Sequence, residues 1–392
     1  MKIVSVMTTD SRGGAEFAAV EMLDALRARG HHTVMISDQP GIARDTGIDV
    51  RPIDIGPKLS STSWRKLLVG WPQVVLRLRN ALAREAPYDV LLLHYKKEQL
   101  AALSLSRRLT PTLAWAEWGP VPFPLRRGAP RALYLLAARR AALVMAVSAG
   151  TRESVCQVGI PPGKVHVVPN VMRTETIRFT EEGRARVRDA LGIPKEAFVV
   201  GCISRFHPKK RNDVVVDAVA GLPGAHLVLA GDGETESSLR QQAAPMGELA
   251  HFIPTPGREV NEVLSAFDVS VFCPSPTEGA PRAVILGMLA GRPCVATGAE
   301  GVGDMIVPEV GGICSPENDP AALGALLSRY RDDVDLRSRH GAAARALAER
   351  SYARDVVAEQ IERLLREAIA MAQLDGRPPT RASSRERDRG YA

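Results

Sequence analysis

One stretch of this chain combines an acidic side chain with the start of an apolar helix, PSPTEGAPRAVILGMLAG over residues 274 to 291. Glu278 follows a predicted strand and a turn, and Gly279, Ala280 and Pro281 stand immediately before the helix. The first amides of a helix attract phosphate. A carboxylate beside them would accept hydrogen bonds from sugar hydroxyls. The stretch therefore predicts a site for a nucleotide-sugar.

A second loop, SRFHPKKRND, places two cations after a strand that ends at Ile203. Arg205 offers a fork of donors and Lys210 a point charge, so together they could neutralise a diphosphate without a metal. The alternative is a solvated basic turn, which accounts well for Lys209 and Arg211.

A third loop, TTDSRGGAE over residues 8 to 16, carries Gly13 and Gly14 directly before a predicted helix. Paired glycines let the backbone approach a ligand closely, and a helix N-terminus favours phosphate. A Gly pair before a helix is at least as often a simple turn. Its place after the first strand favours ligand binding.

Short apolar runs alternate with helical patterns along the chain, which is typical of a doubly wound parallel α/β sheet. We predict strands at Ile3–Met7, Thr33–Ile36, Val90–Leu93, Thr112–Trp115, Leu143–Val147, Val165–Val168, Phe198–Ile203, His226–Ala230, Val269–Phe272 and Cys294–Ala296. Predicted helices include about 15–29, 181–191 and a last helix over 353–371. We therefore expect two Rossmann-like domains that face each other across a cleft, with chemistry in the strand-to-helix loops.

The predicted domains are an acceptor-binding domain over 1–178 and a nucleotide-sugar donor domain over 179–350. A C-terminal helix over 351–371 is expected to pack back on the first domain, and an Arg-rich tail over 372–392 is expected to be disordered. This tail holds five arginines and contributes to the formal net charge of +7; we interpret the body as mildly basic, and nucleic acid is not an expected partner.

Composition points to a cytoplasmic globular protein. Apolar residues make up 45% of the chain and charged residues 24%, with no membrane span and no secretory signal expected. The 5 cysteines are odd in number and lie mostly in apolar runs, which favours free thiols over disulfides or a metal site.

Six motifs in order make the chain resemble the family 4 retaining glycosyltransferases of GT-B fold. They are GGAE at 13–16, VSAGTRESVCQVGIPPGKVHVVPNVM at 147–172, SRFHPKK, LVLAGDGE at 227–234, FDVSVFCPSPTEG and GRPCVAT at 291–297. The resemblance implies that Arg205 and Lys210 hold the donor diphosphate and that Glu278 contacts the donor sugar. It also implies that Gly13, Gly14 and the stretch from Gly279 to Arg282 line the donor site, with amides of Ala280 to Arg282 approaching phosphate.

The resemblance further implies retention without a protein base, a metal or another cofactor. The acceptor hydroxyl attacks the face from which the diphosphate leaves, and that phosphate takes the proton. We expect a hexose or amino-hexose donor, with uridine favoured as its base, and a small polar acceptor such as an aminocyclitol or aminoglycoside in antibiotic biosynthesis. The alternatives are a nucleotide-sugar epimerase of the same fold, a catalytically silent binding subunit and a lipid or cell-envelope glycosyltransferase. The oligomeric state is left open.

Two positions depart from the family pattern. Leu286 stands where relatives commonly have a Glu that binds the ribose hydroxyls, so donor affinity should suffer by about 1.5 to 3 kcal/mol unless another residue substitutes. Trp118 stands where relatives often have His, so the residue that would make a His-mediated contact to the sugar or the acceptor is missing.

The acceptor candidates are Glu117, Trp118, His94, Asp10 and Glu16. Glu117 and Trp118 would suit an ammonium group on the acceptor, because a carboxylate and an aromatic face both attract cations. Glu117 could equally cap the turn at Gly119. A histidine placed like His94 more often has a structural role, with its ring nitrogens hydrogen-bonded inside the protein.

Two further patterns receive structural interpretations. Apolar residues recur at helical spacing from Trp64 to Leu82 with basic residues between them, and Pro72 interrupts the pattern. A helix pair packed on the first sheet is favoured over peripheral contact with a membrane. The acidic triplet Asp333, Val334, Asp335 resembles a metal-binding motif but lies in a helical region, so it is assigned no role.

Overall fold

The computed structural model describes residues 1–9, 13–39, 41–44, 46–56, 59, 64–255, 257, 259–275, 278–299, 301–314 and 319–374, with backbone only at 64–68, 313 and 314. The chain divides into two compact units. One contains residues 1–171 and the described part of the segment that begins at Arg354; the other spans Met172–Ala353. The sequence-based domain boundaries at 178 and 350 stay predictions.

The first unit is built on a 7-stranded sheet of order β3-β2-β1-β4-β5-β6-β7, and all of its pairings are parallel. Its strands are β1 (Lys2–Met7), β2 (His32–Ser37), β3 (Asp49–Pro52), β4 (Val90–Leu93), β5 (Leu113–Glu117), β6 (Leu143–Ala146) and β7 (Val165–Val167). Its helices are α1 (Gly14–Ala28), α2 (Trp64–Glu85), α3 (Lys96–Ala101), α4 (Gly128–Ala138), α5 (Ala149–Val158) and α13 (Arg354–Leu374).

The second unit has a 6-stranded parallel sheet of order β10-β9-β8-β11-β12-β13. Its strands are β8 (Val199–Ile203), β9 (His226–Ala230), β10 (Ala250–Ile253), β11 (Val269–Phe272), β12 (Cys294–Thr297) and β13 (Gly311–Cys314). Its helices are α6 (Glu181–Leu191), α7 (Asn212–Ala220), α8 (Glu236–Ala243), α9 (Val260–Ala266), α10 (Arg282–Leu289), α11 (Pro320–Asp332) and α12 (Val334–Tyr352).

Each sheet is buried on both faces, which explains why its central strands are continuous apolar runs. Along β1, Ile3 lies in the cluster under α1 and α13, whereas Val4 lies in the cluster under α2, α4 and α5. The second unit has the same arrangement, with Val199 and Val200 of β8 in different clusters. The prediction of two doubly wound parallel sheets is confirmed, and the carboxyl ends of the strands carry the loops discussed below.

Three strands escaped the sequence prediction, and each lies at the edge of its sheet. They are β3, β10 and β13. The sequence of β3 is DVRP and none of its residues is fully buried, while β13 begins with two glycines. An edge strand needs no continuous apolar run because one side of it has no neighbouring strand, so the pattern used for central strands does not detect it.

The helix pair expected around Pro72 is wrong, because α2 runs unbroken from Trp64 to Glu85 with Pro72 inside it. Its packing on the sheet is confirmed, since Val74, Leu78 and Leu82 are buried in the core of the first unit. No helix among the described residues is both long and apolar enough to cross a bilayer.

The last helix, α13, returns to the first unit and packs on α1 through Ile361 and Leu365. The guanidinium of Arg354 donates to Asp24 Oδ2 at 2.8 Å, which ties the beginning of α13 to α1. The remaining tail, 375–392, for which we predict disorder, lies outside the described residues. Among the described cysteines, Cys202, Cys273 and Cys294 are buried and form no disulfide.

Candidate active site

The two side chains expected to contact the donor meet each other in the second unit. Lys210 Nζ donates to Glu278 Oε2 at 2.8 Å, and the side chains of the two residues are 20% and 25% exposed. Lys210 follows β8 and Glu278 follows β11, which are neighbouring strands in the sheet. The carboxyl ends of adjacent parallel strands meet at one edge, and this brings two residues 68 positions apart into contact.

A backbone bond joins the two loops next to this ion pair. The amide of Ser275 donates to the carbonyl of Lys209 at 2.7 Å. The Lys210 ammonium also lies 5.1 Å from the centre of the Phe272 ring, so an aromatic face supports it from below. Sequence analysis assigned no role to Phe272 or Ser275. Phe272 belongs to an apolar strand and Ser275 to the turn after it, and neither pattern indicates a contact with Lys210 or its loop.

Gly301 supports the Glu278 loop, and it too was missed. Its amide donates to the carbonyl of Glu278 at 3.0 Å. A Cβ atom on Gly301 would lie 1.2 Å from the carbonyl oxygen of Gly279, so no other residue fits there without moving the loop. The signal that could have identified this position is the GVG sequence after β12, at the carboxyl end of the next strand.

Arg205 lies at the start of the same β8 loop and is exposed. In the part of the chain that the structure describes, its guanidinium forms no hydrogen bond or ion pair. The next residue, Phe206, is held by the segment of the motif LVLAGDGE: its amide donates to the carbonyl of Asp232 at 2.7 Å, and its carbonyl accepts from the amide of Thr235, directly after the motif, at 3.1 Å. Gly231 lets these backbones approach, because a Cβ atom there would lie 1.9 Å from the carbonyl oxygen of Ser204. The motif therefore holds the loop that carries Arg205, whose guanidinium has no acceptor among the described residues.

The helix after Glu278 begins at Arg282, with Pro281 as its N-cap. One detail of the expected phosphate contact is wrong, because Pro281 has no N–H group and cannot donate. From Ala280 to Arg282, only Ala280 and Arg282 have a backbone N–H group that could donate to phosphate. Gly279 and Pro281 are buried, while Ala280 and Arg282 are half-buried.

Leu286 lies one turn further along α10 and is half-buried against the apolar core of the second unit. Its side chain has no polar atom, so it offers no acceptor for a ribose hydroxyl. The weaker donor affinity expected from this departure stays a prediction.

In the first unit, Gly13 caps α1 and Gly14 begins it, but Asp10 lies outside the described residues. Gly13 has an extended backbone with φ −153°, so its conformation does not demand glycine. A Cβ atom there would lie 3.2 Å from Glu16 Oε2. Glu16 is buried and accepts a short hydrogen bond from the Tyr95 hydroxyl, so one of its carboxylate oxygens is already engaged.

A buried carboxylate that sequence analysis overlooked, Glu98, holds the other end of this loop. Glu98 Oε1 accepts from the amide of Thr8 at 3.0 Å and also from the Thr8 hydroxyl. Among the described residues, Glu98 Oε2 is buried and accepts no hydrogen bond. Burial raises the pKa of Glu98 to about 7, against the opposing effects of Lys97 and of the bonds from Thr8.

Glu117, proposed to attract a cationic acceptor, already has a cation. Its side chain is 3% exposed and forms a short ion pair with Lys96 through Oε2. Oε1 accepts from Gln99 Nε2 at 3.0 Å and from the Tyr134 hydroxyl at 3.1 Å. Burial lowers the pKa of the Lys96 ammonium, and Glu117 opposes this effect. Both carboxylate oxygens of Glu117 are thus engaged inside the protein, although Gln99 Oε1 has no partner among the described residues, and the geometry favours a structural role for Glu117. This role differs from the turn cap considered above.

His94 and Trp118 are bonded to each other. Trp118 Nε1 donates to His94 Nδ1 at 3.1 Å, and the rings stack at 5.7 Å between centres. Since an indole only donates, Nδ1 carries no proton, so Nε2 of the neutral ring donates to Ser5 Oγ at 2.7 Å. Burial lowers the pKa of His94 to about 3. Both ring nitrogens are engaged, which favours the structural interpretation of His94.

One residue of the acidic triplet, Asp333, has a local structural role. Asp333 accepts from the amide of Leu336 at 2.7 Å and thereby caps α12.

Each unit therefore presents polar groups at the carboxyl ends of its strands, with different chemistry. The second unit offers Arg205, without an acceptor among the described residues, on the same loop as Lys210, which is paired with Glu278. The first unit offers a loop tied to buried carboxylates. Cations that neutralise a leaving group supply the main catalytic term in phosphate departure.

Two family models match the chain. The model described as Glycosyltransferase Family 4 matches residues 12–176, and the model described as Glycosyl transferases group 1 matches residues 197–333. Together they cover more than half of the chain.

Curated relatives include two glycosyltransferases of actinobacteria. The D-inositol 3-phosphate glycosyltransferase of Thermomonospora curvata is 27% identical over 377 residues, which is 86% of either chain. The GDP-mannose-dependent monoacylated alpha-(1-6)-phosphatidylinositol monomannoside mannosyltransferase of Corynebacterium glutamicum is 28% identical over 201 residues, or 47% of this chain. That match spans about half of the mannosyltransferase, 51% of its length.

A solved structure with a similar fold is that of Anabaena HepE in complex with UDP-glucose. It aligns with a TM-score of 0.80 at 21% identity and covers 94% of this chain and 100% of HepE. The likeness shows a fold of two parallel-sheet α/β domains, as in HepE.

Proposed function

Because this chain belongs to the family 4 glycosyltransferases and has the GT-B fold, we propose that it moves a hexose or amino-hexose from a nucleotide diphosphate donor to a hydroxyl of a small polar acceptor. The chain is an enzyme of the glycosyltransferase class. The observation that carries the proposal is the contact of Lys210 with Glu278 at 2.8 Å, beside an Arg205 whose guanidinium has no protein acceptor among the described residues.

In this proposal the donor diphosphate breaks the Lys210–Glu278 ion pair. The phosphate oxygens bind the Lys210 ammonium and the Arg205 guanidinium, and Glu278 accepts hydrogen bonds from the sugar hydroxyls. The two cations stabilise the charge that builds on the leaving phosphate, so no metal is needed. The acceptor hydroxyl attacks the face from which the diphosphate leaves, the phosphate takes its proton, and the anomeric configuration is retained.

The donor base is proposed to be uridine. The UDP-glucose bound by HepE supports this choice, whereas the corynebacterial relative is named for GDP-mannose. An aminocyclitol or aminoglycoside acceptor stays a prediction, as do a role in antibiotic biosynthesis and a cytoplasmic location. Glu117 gives the cationic acceptor no support, because Lys96 already neutralises it.

The experiment is a matrix of UDP-sugars and GDP-mannose against polyol, aminocyclitol and lipid-linked acceptors, with release of nucleoside diphosphate as the readout. Release that requires an acceptor, with an α-linked product from an α-linked donor, supports the proposal. Conversion of the donor sugar without release supports an epimerase instead. No turnover with any pair supports a silent binding subunit. Activity that EDTA abolishes would contradict the metal-free mechanism.

One observation favours a lipid-linked acceptor as the second candidate. Residues 118–152 contain six arginines and no carboxylate, and three large apolar side chains in this segment are solvent-exposed. They are Phe123 at 69%, Leu133 at 46% and Leu136 at 49%. Apolar side chains flanked by arginine suit an anionic lipid surface. Sedimentation with phosphatidylglycerol vesicles but not with phosphatidylcholine vesicles would favour this candidate.

A further inference from the structure

Arg211, directly after Lys210, has an unusual backbone conformation. Its φ is 46° and its ψ is 42°, in the left-handed region. Among the described residues it is the one non-glycine with a positive φ. Side chains at such positions are strained, and strain of this kind often accompanies function.

A local ion pair holds the side chain of Arg211. Its Nε lies 3.0 Å from Asp213 Oδ1, and its Nη2 lies 2.8 Å from Asp213 Oδ2. We call this two-pronged contact the Arg211–Asp213 fork. The side chains are 35% and 46% exposed, so solvent screens the fork.

The turn at Arg211 joins two anchored segments, and its own backbone is also bonded: its amide donates to the carbonyl of Pro208 at 3.3 Å, and its carbonyl accepts from the amide of Val214 at 3.1 Å. Before the turn, Lys209 is bonded to Ser275 at 2.7 Å, and the Lys210 amide donates to His207 at 2.8 Å. After the turn, α7 begins at Asn212 and is packed in the core of the second unit. A change of φ at Arg211 would disturb these bonds and thereby move Lys210, the residue directly before the turn.

We propose that the Arg211–Asp213 fork is a positioning device that keeps the chain left-handed at Arg211 and so directs the Lys210 ammonium toward Glu278 and the donor diphosphate. The inference extends the proposed function, since Lys210 is its donor-phosphate cation. Arg211 is here a positioning residue and contacts no reacting atom.

The test compares Arg211→Gly, which relieves the strain, with Arg211→Ala, which keeps the strain and loses the fork. Asp213→Ala loses the fork and also the acidic side chain in the first turn of α7. We expect kcat/KM for the donor to fall about tenfold in Arg211→Ala and Asp213→Ala, and to stay within about twofold of wild type in Arg211→Gly, since glycine adopts the left-handed turn without help. Adding Asp213→Ala to Arg211→Gly should cause no further loss of kcat/KM. A purely stabilising effect of Asp213 on α7 would instead persist in that background.

A second readout needs no turnover. Amine labelling followed by mass spectrometry measures the reactivity of Lys210, with the exposed Lys209 as an internal reference. A Lys210 released from Glu278 should label several-fold faster, so labelling should rise in Arg211→Ala and Asp213→Ala but not in Arg211→Gly.

The two hypotheses fail separately. If wild-type protein turns over no donor but labelling follows the expected order, the proposed function fails and the positioning role stands. If turnover is normal but Arg211→Gly and Arg211→Ala behave alike in both kcat/KM and labelling, the positioning role is overturned and the function stands.

Discussion

Lys210 and Glu278 form an ion pair, with 2.8 Å between the ammonium nitrogen and Oε2. Each side chain holds the other in place. Under the proposed function, a donor diphosphate, which carries more charge than the carboxylate, displaces it, and the sugar hydroxyls bind the released Glu278. We therefore expect donor binding and catalysis to be most sensitive to substitution at this pair.

Replacing Lys210 should therefore damage catalysis strongly. Lys210→Met is expected to lower kcat/KM for the donor by about 10²- to 10³-fold, the usual effect of losing one group that stabilises transition-state charge. The matched control is Lys209→Met, an exposed lysine on the same loop, which should change kcat/KM less than about threefold. Equal losses in both variants would contradict the specific role of Lys210.

Arg205 should matter for activity and not for folding, because its guanidinium contacts no acceptor among the described residues. Arg205→Ala is expected to lower kcat/KM by about 10²-fold. The midpoint of urea unfolding should stay unchanged. Arg205→Lys keeps the charge without the planar fork and should fall between the two. A lower unfolding midpoint in Arg205→Ala would indicate a structural role instead.

Glu117→Gln should destabilise the first unit, because it leaves the Lys96 ammonium without its carboxylate. Breaking one side of a buried pair costs about 3 kcal/mol or more in free energy of unfolding. Urea unfolding measures the loss. The control Glu153→Gln changes an exposed carboxylate and should cost less than about 0.5 kcal/mol.

Adding Lys96→Met to Glu117→Gln removes the unpaired charge and should restore part of the lost stability. A fall in acceptor affinity in Glu117→Gln without a loss of stability would support the acceptor role instead. Unaltered acceptor affinity would remove that role.

His94 should make stability depend on acidity. Its pKa is about 3 in the folded protein against an ordinary 6.5, so the unfolded chain binds the extra proton between these values. This contribution is fully present above pH 6.5 and is lost as pH falls toward 3, at about 1.4 kcal/mol per pH unit. His94→Gln should remove this contribution to the slope when unfolding is measured from pH 7 to pH 4.

Glu98 should act in the opposite direction. Its pKa is about 7 in the folded protein against an ordinary 4.5, so the folded state holds the extra proton between these values. The contribution is present below pH 4.5 and is lost as pH rises through 7. Glu98→Gln keeps an oxygen for Thr8 and cannot titrate, so the variant should lack this decline. Curves for wild type and variant that run parallel from pH 4.5 to 7.5 would contradict the assignment.

Much of the fold follows from local pattern. The strand predicted at Val90–Leu93 and the helix predicted at Glu181–Leu191 agree with β4 and α6 residue for residue. The spacing of apolar residues along the sequence is sufficient to predict these two elements. The edge strand at Asp49–Pro52 could not be found in this way, because its pairing with β2 depends on a neighbour rather than on its own burial.

By itself the sequence determined the central strands, the order of the motifs and the residue types that could bind a diphosphate and a sugar. Tertiary structure decided which of these side chains contact one another. It paired Lys210 with Glu278, gave Glu117 to Lys96 and closed His94 between Ser5 and Trp118. The reason is physical: a local pattern reports burial and backbone propensity, whereas a carboxylate's partner depends on which strands become neighbours in the sheet.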